Sequence, residues 1–346
     1  MKNTHKVITP TLAWILLLAA GLILGGCGKK EEAAEAKPAE AEASAPAAAD
    51  TAAAKPQPAE PSQKAATSRL LDVTYTGDAY VAVGERGHIV RSTDGKNWTQ
   101  SPSPVRSALT TVFFVDANNG WAAGHDASIL GTTDGGKTWK LLHWAPALNV
   151  PVLDILFLDA QRGIAVGAYG FYRMTADGGA TWTETENAAA ADEYHFNGIT
   201  KLADGSLLLV GEAGGVAHSK DQGVTWTPMV SPYEGTFFGA LPHGPAGAVL
   251  YGLRGNVYVL DTVAGAAPAS WRKLETGTFQ SLLGGASLPG GNIIFVGTAG
   301  AILTGSVISL RVIDNPTRIT LSAVLPLASG GAMAVGEKGP QLLSLQ

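Results

Sequence analysis

Short apolar runs recur along most of the chain, separated by turns of glycine and polar residues. One phrase appears seven times, and its first glycines are about 39–45 residues apart, which is the length of one four-stranded propeller blade. The sequence therefore predicts an all-β fold, a seven-bladed β-propeller over residues 69–346. The copies are VGERG, AGHDA, VGAYG, VGEAG, YGLRG, VGTAG and VGEKG, headed by Gly84, Gly124, Gly167, Gly211, Gly252, Gly297 and Gly336.

The second copy shows the order of elements within one repeat. LTTVFFVD, GWAAG, ILGTT and TWKLLH are typical of four strands, with polar or glycine-rich turns between them. We label these strands A to D from the central axis outward, and expect strand A to be the most continuously apolar because both of its faces would be covered. This order places the B–C turns and the D–A connections on one face of the ring and the C–D turns on the other.

The C–D turn carries the most specific motif of the chain, TTDGGKTW in the second copy. We expect its aspartate to accept backbone N–H groups of the turn, its glycine to take a positive φ, and its tryptophan to pack between blades. These segments resemble the Asp-box, or BNR repeat, of sialidase-type propellers, a motif that stabilises a turn rather than an activity. The four copies contain Ser92, Asp94 and Trp98; Thr132, Asp134 and Trp139; Thr175, Asp177 and Trp182; and Ser219, Asp221 and Trp226.

The last three repeats are degenerate. The fifth keeps only a remnant of the Asp-box at 261–271, the sixth and seventh have none, and the seventh stops after strand C. Residues 61–68 are the chain available to complete that blade, although Pro61 and their polarity make them a poor strand. Two forms of blade seven stay open, one closed by residues 61–68 and one with three strands.

A different hydrophobic pattern opens the chain. Lys2 and Lys6 precede an apolar run of about 14 residues that ends in Leu-Gly-Gly-Cys at Cys27, an arrangement typical of a secretory signal and short for a spanning helix. The end of this run resembles the lipobox of bacterial lipoproteins, which implies cleavage after residue 26 and lipidation of Cys27. An uncleaved signal anchor is the alternative. Gly28 favours the outer membrane over the inner membrane.

Residues 27–68 are rich in alanine, proline and charged residues and contain little to bury. Such a segment cannot offset the entropy cost of ordering, so we predict a disordered tether. The sequence thus divides into a signal peptide (1–26), a lipidated tether (27–68) and a propeller (69–346). It predicts a lipid-anchored protein of the cell envelope that faces the periplasm.

Composition narrows the possible functions. A net charge of −5 and the lack of any nucleic-acid motif argue against a DNA or RNA partner. The single cysteine rules out a disulfide within the chain. The histidines lack metal-ligand spacing, and the sequence contains neither a nucleophile elbow nor a phosphate loop. We therefore expect no metal and no cofactor.

The stretches GWAAGHDASILGTTDGGKTW and YVAVGERGHIVRSTDGKNW, with the seven turns, resemble the photosystem II stability and assembly factor family of BNR propellers. The resemblance covers 70–346 and implies a non-enzymatic, monomeric factor that holds a membrane protein or its periplasmic segment. In non-photosynthetic bacteria it implies service to transporters of the resistance-nodulation-division type. It also implies binding through arginines, of which only Arg86 and Arg254 occupy B–C turns here.

Glycan binding or sialidase-like hydrolysis is the alternative function. A sialidase would need three convergent arginines, a tyrosine nucleophile backed by a glutamate, and an aspartic acid. Residues of each type occur on the B–C face, but the early arginine motif of sialidases is absent, and seven repeats do not match their six blades. The sequence therefore favours a protein-binding scaffold.

The B–C face is the predicted binding surface because its turn tips vary while the Asp-box side is constant. A basic arc is expected across blades seven and one, containing Arg86, Arg106, Arg311, Arg318 and Lys338. An acidic and aromatic arc is expected across the ring, containing Asp192, Glu193, Tyr194, Glu212, Tyr233, Glu234 and Phe237. A scattered mixed-charge surface is the alternative. The predicted partner-binding residues are Arg86, Arg254, Lys338, Tyr169, Tyr194 and Tyr233.

Overall fold

The computed structural model describes residues 55–185, 187, 189, 194–265 and 270–345. The predicted signal peptide, Cys27, the tether up to residue 54, Asp192 and Glu193 lie outside these residues. Among the described residues, no helix is long and apolar enough to cross a membrane.

Seven antiparallel sheets, each ordered as the chain runs, confirm the predicted seven-bladed propeller. The first four blades contain β1 (Leu70–Tyr75), β2 (Tyr80–Gly84), β3 (Ile89–Ser92) and β4 (Thr99–Ser101); β5 (Leu109–Phe114), β6 (Gly120–Gly124), β7 (Ile129–Thr132) and β8 (Lys140–His143); β9 (Val152–Phe157), β10 (Gly163–Gly167), β11 (Tyr172–Thr175) and β12 (Thr183–Glu184); and β13 (Phe196–Lys201), β14 (Leu207–Gly211), β15 (Val216–Ser219) and β16 (Thr227–Pro228).

The last three blades close the ring. They contain β17 (Phe237–His243), β18 (Gly247–Gly252), β19 (Val257–Leu260) and β20 (Arg272–Leu274); β21 (Leu282–Ser287), β22 (Ile293–Gly297), β23 (Ile302–Gly305) and β24 (Leu310–Val312); and β25 (Leu321–Pro326), β26 (Ala332–Gly336) and β27 (Gly339–Leu343). Strand A of every blade contacts strand A of both neighbours, and β1 contacts β25. In the described chain, blade seven therefore has three strands.

Short 3-10 turns connect several of these strands. They are Glu85–Gly87, His125–Ala127, Pro146–Leu148, Ala168–Gly170, Leu253–Gly255, Pro289–Gly291 and Thr298–Gly300. One more, Ala65–Thr67, precedes β1. Most of the B–C turns are of this kind.

Strand B, rather than strand A, is the most continuously buried. Every residue of β6, β10, β14, β22 and β26 is buried, whereas only Leu70 and Val73 are buried in β1. The prediction for strand A was wrong because the seven A strands surround a central channel, with a cavity of about 190 Å³ between them. One face of strand A therefore meets the channel instead of protein.

Close backbone approach explains why the second residue of each repeated phrase is glycine. A Cβ at Gly84 would lie 2.2 Å from the carbonyl oxygen of Arg69, and one at Gly252 would lie 2.0 Å from that of Thr236. Both carbonyls precede strand A of the same blade. The Arg69 carbonyl also accepts the N–H of Glu85 at 3.1 Å. Glycine thus lets the B–C turn lie directly against the entry to strand A.

The Asp-box tryptophans pack at blade junctions. Trp139 is 7% exposed and packs with Val81 of blade one and Leu130 of its own blade. Trp226 packs against blade three, where its Nε1 donates to the Tyr172 hydroxyl at 3.1 Å. These aromatic side chains therefore help hold neighbouring blades together.

Residues 59–68 were predicted as part of the disordered tether, but they lie against the propeller. The Ala59 N–H donates to the Ser103 carbonyl at 3.0 Å, and the Ser62 N–H donates to Gln100 Oε1 at 2.7 Å. Ala65 is buried, and its turn contacts β3, β4 and β27. This polar segment is ordered through hydrogen bonds and a buried alanine instead of large apolar side chains, which is why its composition misled the prediction. It adds no strand to blade seven.

Candidate functional site

The aspartate of each Asp-box accepts hydrogen bonds from residues of its own turn. Asp134 Oδ1 accepts the N–H groups of Lys137 and Thr138 at 3.0 Å, and the hydroxyl groups of Thr132 and Thr138 donate to the same carboxylate. Burial would raise the pKa of Asp134, but these hydrogen bonds outweigh it and lower the pKa to about 2. The carboxylate is thus fully occupied in building the turn.

The other three boxes repeat this arrangement. The carboxylates of Asp94, Asp177 and Asp221 each accept from the Ser or Thr hydroxyl two residues earlier, at 2.8–2.9 Å. Each also accepts a backbone N–H three or four residues later. The Asp-box face therefore uses its most constant polar residues for structure.

The B–C face is built differently. Arg86, Tyr169 and Arg254 each occupy the tip of a B–C turn with φ of 57°, 55° and 56°, and each is exposed. A left-handed backbone costs a residue other than glycine about 1–2 kcal/mol. These three tips nevertheless hold arginine or tyrosine instead of glycine. Within the described part of the chain, neither arginine forms an ion pair. Their guanidinium groups are therefore available to a partner.

The predicted basic arc is smaller than expected. Arg106 pairs with Glu60 at 2.5 Å, and Arg311 donates to the Leu345 carbonyl at 2.6 Å, beside the A–B turns of blades six and seven. Arg311 thus lies toward the Asp-box face, because β24 carries it away from the B–C turns. Arg86, Arg318 and Lys338 remain exposed on the predicted face.

Arg86 and Arg254 share a face without forming one patch. They belong to blades one and five, which blades six and seven separate on the shorter way around the ring. The surface is therefore better described as separate anchors on a common face than as a continuous arginine patch.

Aromatic and acidic residues connect blades three, four and five on this face. The Tyr169 ring lies edge-on to the His195 ring at 4.8 Å, and His195 Nδ1 lies 3.5 Å from Glu212 Oε1. The Tyr233 hydroxyl donates to the Leu253 carbonyl at 3.0 Å, next to Arg254. A cavity of about 280 Å³ opens at blade four, and both Tyr194 and Tyr233 line it.

The central channel holds two carboxyl groups that the sequence analysis did not single out. Asp72 Oδ2 accepts the N–H of Val112 at 2.8 Å, and Asp154 Oδ2 accepts the N–H of Ile199 at 2.9 Å, so each aspartate joins its blade to the next. Both residues keep some accessible surface toward the channel. Removal from bulk water nevertheless raises the pKa of Asp72 to about 6 and that of Asp154 to about 7. An aspartate inside an apolar run, as in LLDVTY and VLDILF, was the available signal.

No group of three or more His, Cys, Asp or Glu residues with metal-binding geometry occurs among the residues that the structure covers.

Known proteins with a similar sequence or fold include photosystem II assembly factors. A family model described as photosynthesis system II assembly factor YCF48 matches residues 142–266. The chain is an Asp-box propeller similar to the photosystem II assembly factors. The resemblance predicted from the repeats is thereby confirmed. The matched residues include Tyr169, Tyr194, Tyr233 and Arg254 of this assembly factor-like propeller.

One curated relative matches part of the chain. The uncharacterized protein YkuO of Bacillus subtilis (strain 168) is 31% identical over 89 residues, which are 25% of this chain and 29% of that protein. The chain thus matches under a third of that relative's length.

Solved structures share the architecture at low identity. YCF48 bound to D1 peptide has a TM-score of 0.65 at 18% identity, covering 81% of this chain and 93% of that chain. YCF48 from Cyanidioschyzon merolae has a TM-score of 0.64 at 16% identity, covering 80% and 95%. Streptogramin B lyase has a TM-score of 0.68 at 12% identity, covering 81% and 95%. Because an enzyme and an assembly factor share this ring, function depends on the residues of its faces.

Proposed function

We propose that this protein is a non-enzymatic scaffold that holds a segment of a membrane-protein partner on its B–C face. Arg86 and Arg254 bind anionic groups of that segment, Lys338 adds a third cation, and Tyr169, Tyr194 and Tyr233 supply contact area. The observation that carries the proposal is the exposure of both arginines at left-handed turn tips without an intrachain ion pair in the described residues.

Two of the comparisons support a binding role. A similar propeller has been solved with a bound peptide, and the matching family model describes an assembly factor. The separation of Arg86 from Arg254 by two blades also disfavours a sialidase-like site, in which three arginines converge on one carboxylate. Glycan binding is the competing function that an experiment must separate from protein binding.

Membrane attachment is a second part of the proposal. The lipobox-like end of the signal implies that Cys27 carries a lipid, which would place the propeller in the periplasm near the outer membrane. We expect Cys27→Ser to abolish incorporation of a palmitate label and to block maturation. Continued labelling of the variant would show that the protein is not a lipoprotein of this type.

In-cell photo-crosslinking tests the function directly. A crosslinking amino acid at Ala299, an exposed B–C tip between the blades of Arg254 and Lys338, is compared with one at Lys137 on the Asp-box face. We expect Ala299 to capture a polytopic membrane protein, such as a resistance-nodulation-division-type transporter, and Lys137 to capture little. Binding on a glycan array with no captured protein would support the carbohydrate function instead.

A further inference from the structure

The cavity at blade four combines an apolar interior with an acidic mouth. The buried side chains of Phe196 and Val216 and the half-buried Met229 line it. The half-buried Glu212 and the exposed Glu234 line it as well. A cavity of about 280 Å³ is below the range of about 300–1,000 Å³ for drug-sized ligands, so it suits one long side chain.

The carboxylates of this cavity lack a fixed positive charge. Glu212 Oε2 accepts the His195 N–H at 3.1 Å, and its nearest basic group is the His195 ring. By contrast Glu337, at the same turn position in blade seven, has Arg69 Nη2 3.6 Å away. The lining residues of the cavity include neither lysine nor arginine, and among the described residues Glu234 forms no ion pair. The cavity therefore carries negative charge that the described residues do not neutralise.

We propose that this cavity binds a basic side chain, lysine or arginine, of the segment held on the B–C face. The methylene stem of such a side chain packs against Met229 and Val216 while its charged head reaches Glu212 and Glu234. Tyr194 and Tyr233 also line the cavity, and an aromatic ring next to a bound cation can add a cation–π contact.

The position of the cavity defines the chemistry of the partner further. Tyr233 lines the cavity and donates to Leu253, whose neighbour is Arg254. A segment crossing from blade four to blade five would thus meet an acidic cavity and then a basic turn tip. This inference rests on the proposed function, and it requires a partner segment with a basic residue close to an anionic group.

Met229 provides a reporter inside the cavity. The full chain has four methionines, so isotope-labelled methionine methyl groups give few NMR signals, and Met229→Leu assigns the relevant one. Nα-acetyl-arginine amide and Nα-acetyl-lysine amide are the probes, and the uncharged Nα-acetyl-citrulline amide is their control. We expect a saturable shift of the Met229 signal with at least one basic probe, little shift with citrulline, and no change at the buried Met333.

Substitution of the carboxylates completes the test. Glu212→Gln keeps an acceptor for the His195 N–H while removing the charge, and together with Glu234→Gln it should weaken the basic probe at least about fivefold. Glu85→Gln makes the same change at the same turn position of blade one and should leave binding unaltered. Equal binding of citrulline, no saturable shift with either basic probe, or full binding by the double variant would overturn the inference.

The two proposals can fail separately. If charge reversal of Arg86 and Arg254 abolishes partner capture but the Glu212→Gln, Glu234→Gln variant captures normally, the scaffold function stands and the basic-side-chain cavity is wrong. If the cavity binds the basic probes while no membrane protein is ever captured on the B–C face, the scaffold function is wrong.

Discussion

The two faces of this ring use polar residues in opposite ways. On the Asp-box face, Asp134 and its equivalents accept three or four hydrogen bonds from their own turns. On the B–C face, Arg86 and Arg254 stand exposed on left-handed backbone with no intrachain ion pair among the described residues. The comparison teaches that the repeated polar residues build the ring, whereas the arginines at the variable turn tips form no ion pair among the described residues.

The largest effect should come from a blade junction on the Asp-box side. Trp139→Ala removes a nearly buried ring between blades one and two and should lower the free energy of unfolding by about 3–5 kcal/mol. Urea denaturation followed by circular dichroism measures the change. Trp98→Ala, at a half-buried ring, should cost less. A loss below about 1 kcal/mol for Trp139→Ala would contradict the packing role.

The Asp-box carboxylate should have the next largest effect. Asp134→Ala leaves two backbone N–H groups of the turn without their acceptor, so we expect a loss of about 1–3 kcal/mol. Thr133→Ala, at an exposed residue of the same turn, is the control and should change stability little. Because the pKa of Asp134 is lowered to about 2, its contribution is present above about pH 4 and is lost as the pH falls through 2. A variant as stable as the parent at pH 7 would contradict this account.

The channel aspartates should give the opposite pH dependence. The pKa of Asp154 is raised to about 7, so the stability linked to its protonation is present below about pH 4 and is lost as the pH rises through 7. We expect Asp72→Asn with Asp154→Asn to flatten the fall in melting temperature between pH 4 and 8. The difference should amount to about 1–2 kcal/mol after discounting for screening by channel water. Asp314→Asn, at an exposed aspartate, should leave the profile unchanged; a double variant with the parent profile would refute the assignment.

The smallest effect on stability is expected at the tips of the B–C turns. Arg254→Gly relieves a left-handed backbone and should leave the protein unchanged or stabilise it by up to about 1 kcal/mol. Lys137→Gly, where the backbone is not left-handed, should destabilise it slightly. Differential scanning fluorimetry on both variants checks the sign. A clear destabilisation by Arg254→Gly would mean that this arginine has a structural role.

Most of the fold could be predicted from the repeat pattern, because each blade has the same local sequence requirements. The glycine of each B–C turn, the Asp-box and the strand spacing can all be recognised along the chain. Ring closure leaves one face of each strand A exposed to the central channel. The apolar composition of the strand does not reveal this. The order of residues 59–68 was missed because hydrogen bonds and one buried alanine, rather than large apolar side chains, hold the segment.

The arrangement of residues on the B–C face could be predicted only in part. Turn positions placed Arg86, Arg254, Tyr169 and Lys338 on one face, because strand order alone determines which turns share it. Arg311 does not belong to the basic arc, because its position in β24 places it toward the Asp-box face. The blade-four cavity forms where side chains of the connections before and after blade four meet, among them Tyr194 and Tyr233. Sequence spacing does not specify which side chains come together there.

Partner capture tests the central claim most directly. The charge-reversal pair Arg86→Glu, Arg254→Glu is compared with Lys96→Glu, Lys137→Glu on the Asp-box face, with melting temperatures measured for both. We expect the arginine pair to fold normally and to lose capture of the membrane partner. The difference from the parent protein should be largest at low salt, because salt screens exposed charges and limits their attraction to about 10 Å at 0.1 M. The lysine pair should capture normally. Loss of capture by the lysine pair with full capture by the arginine pair would show that the opposite face binds the partner.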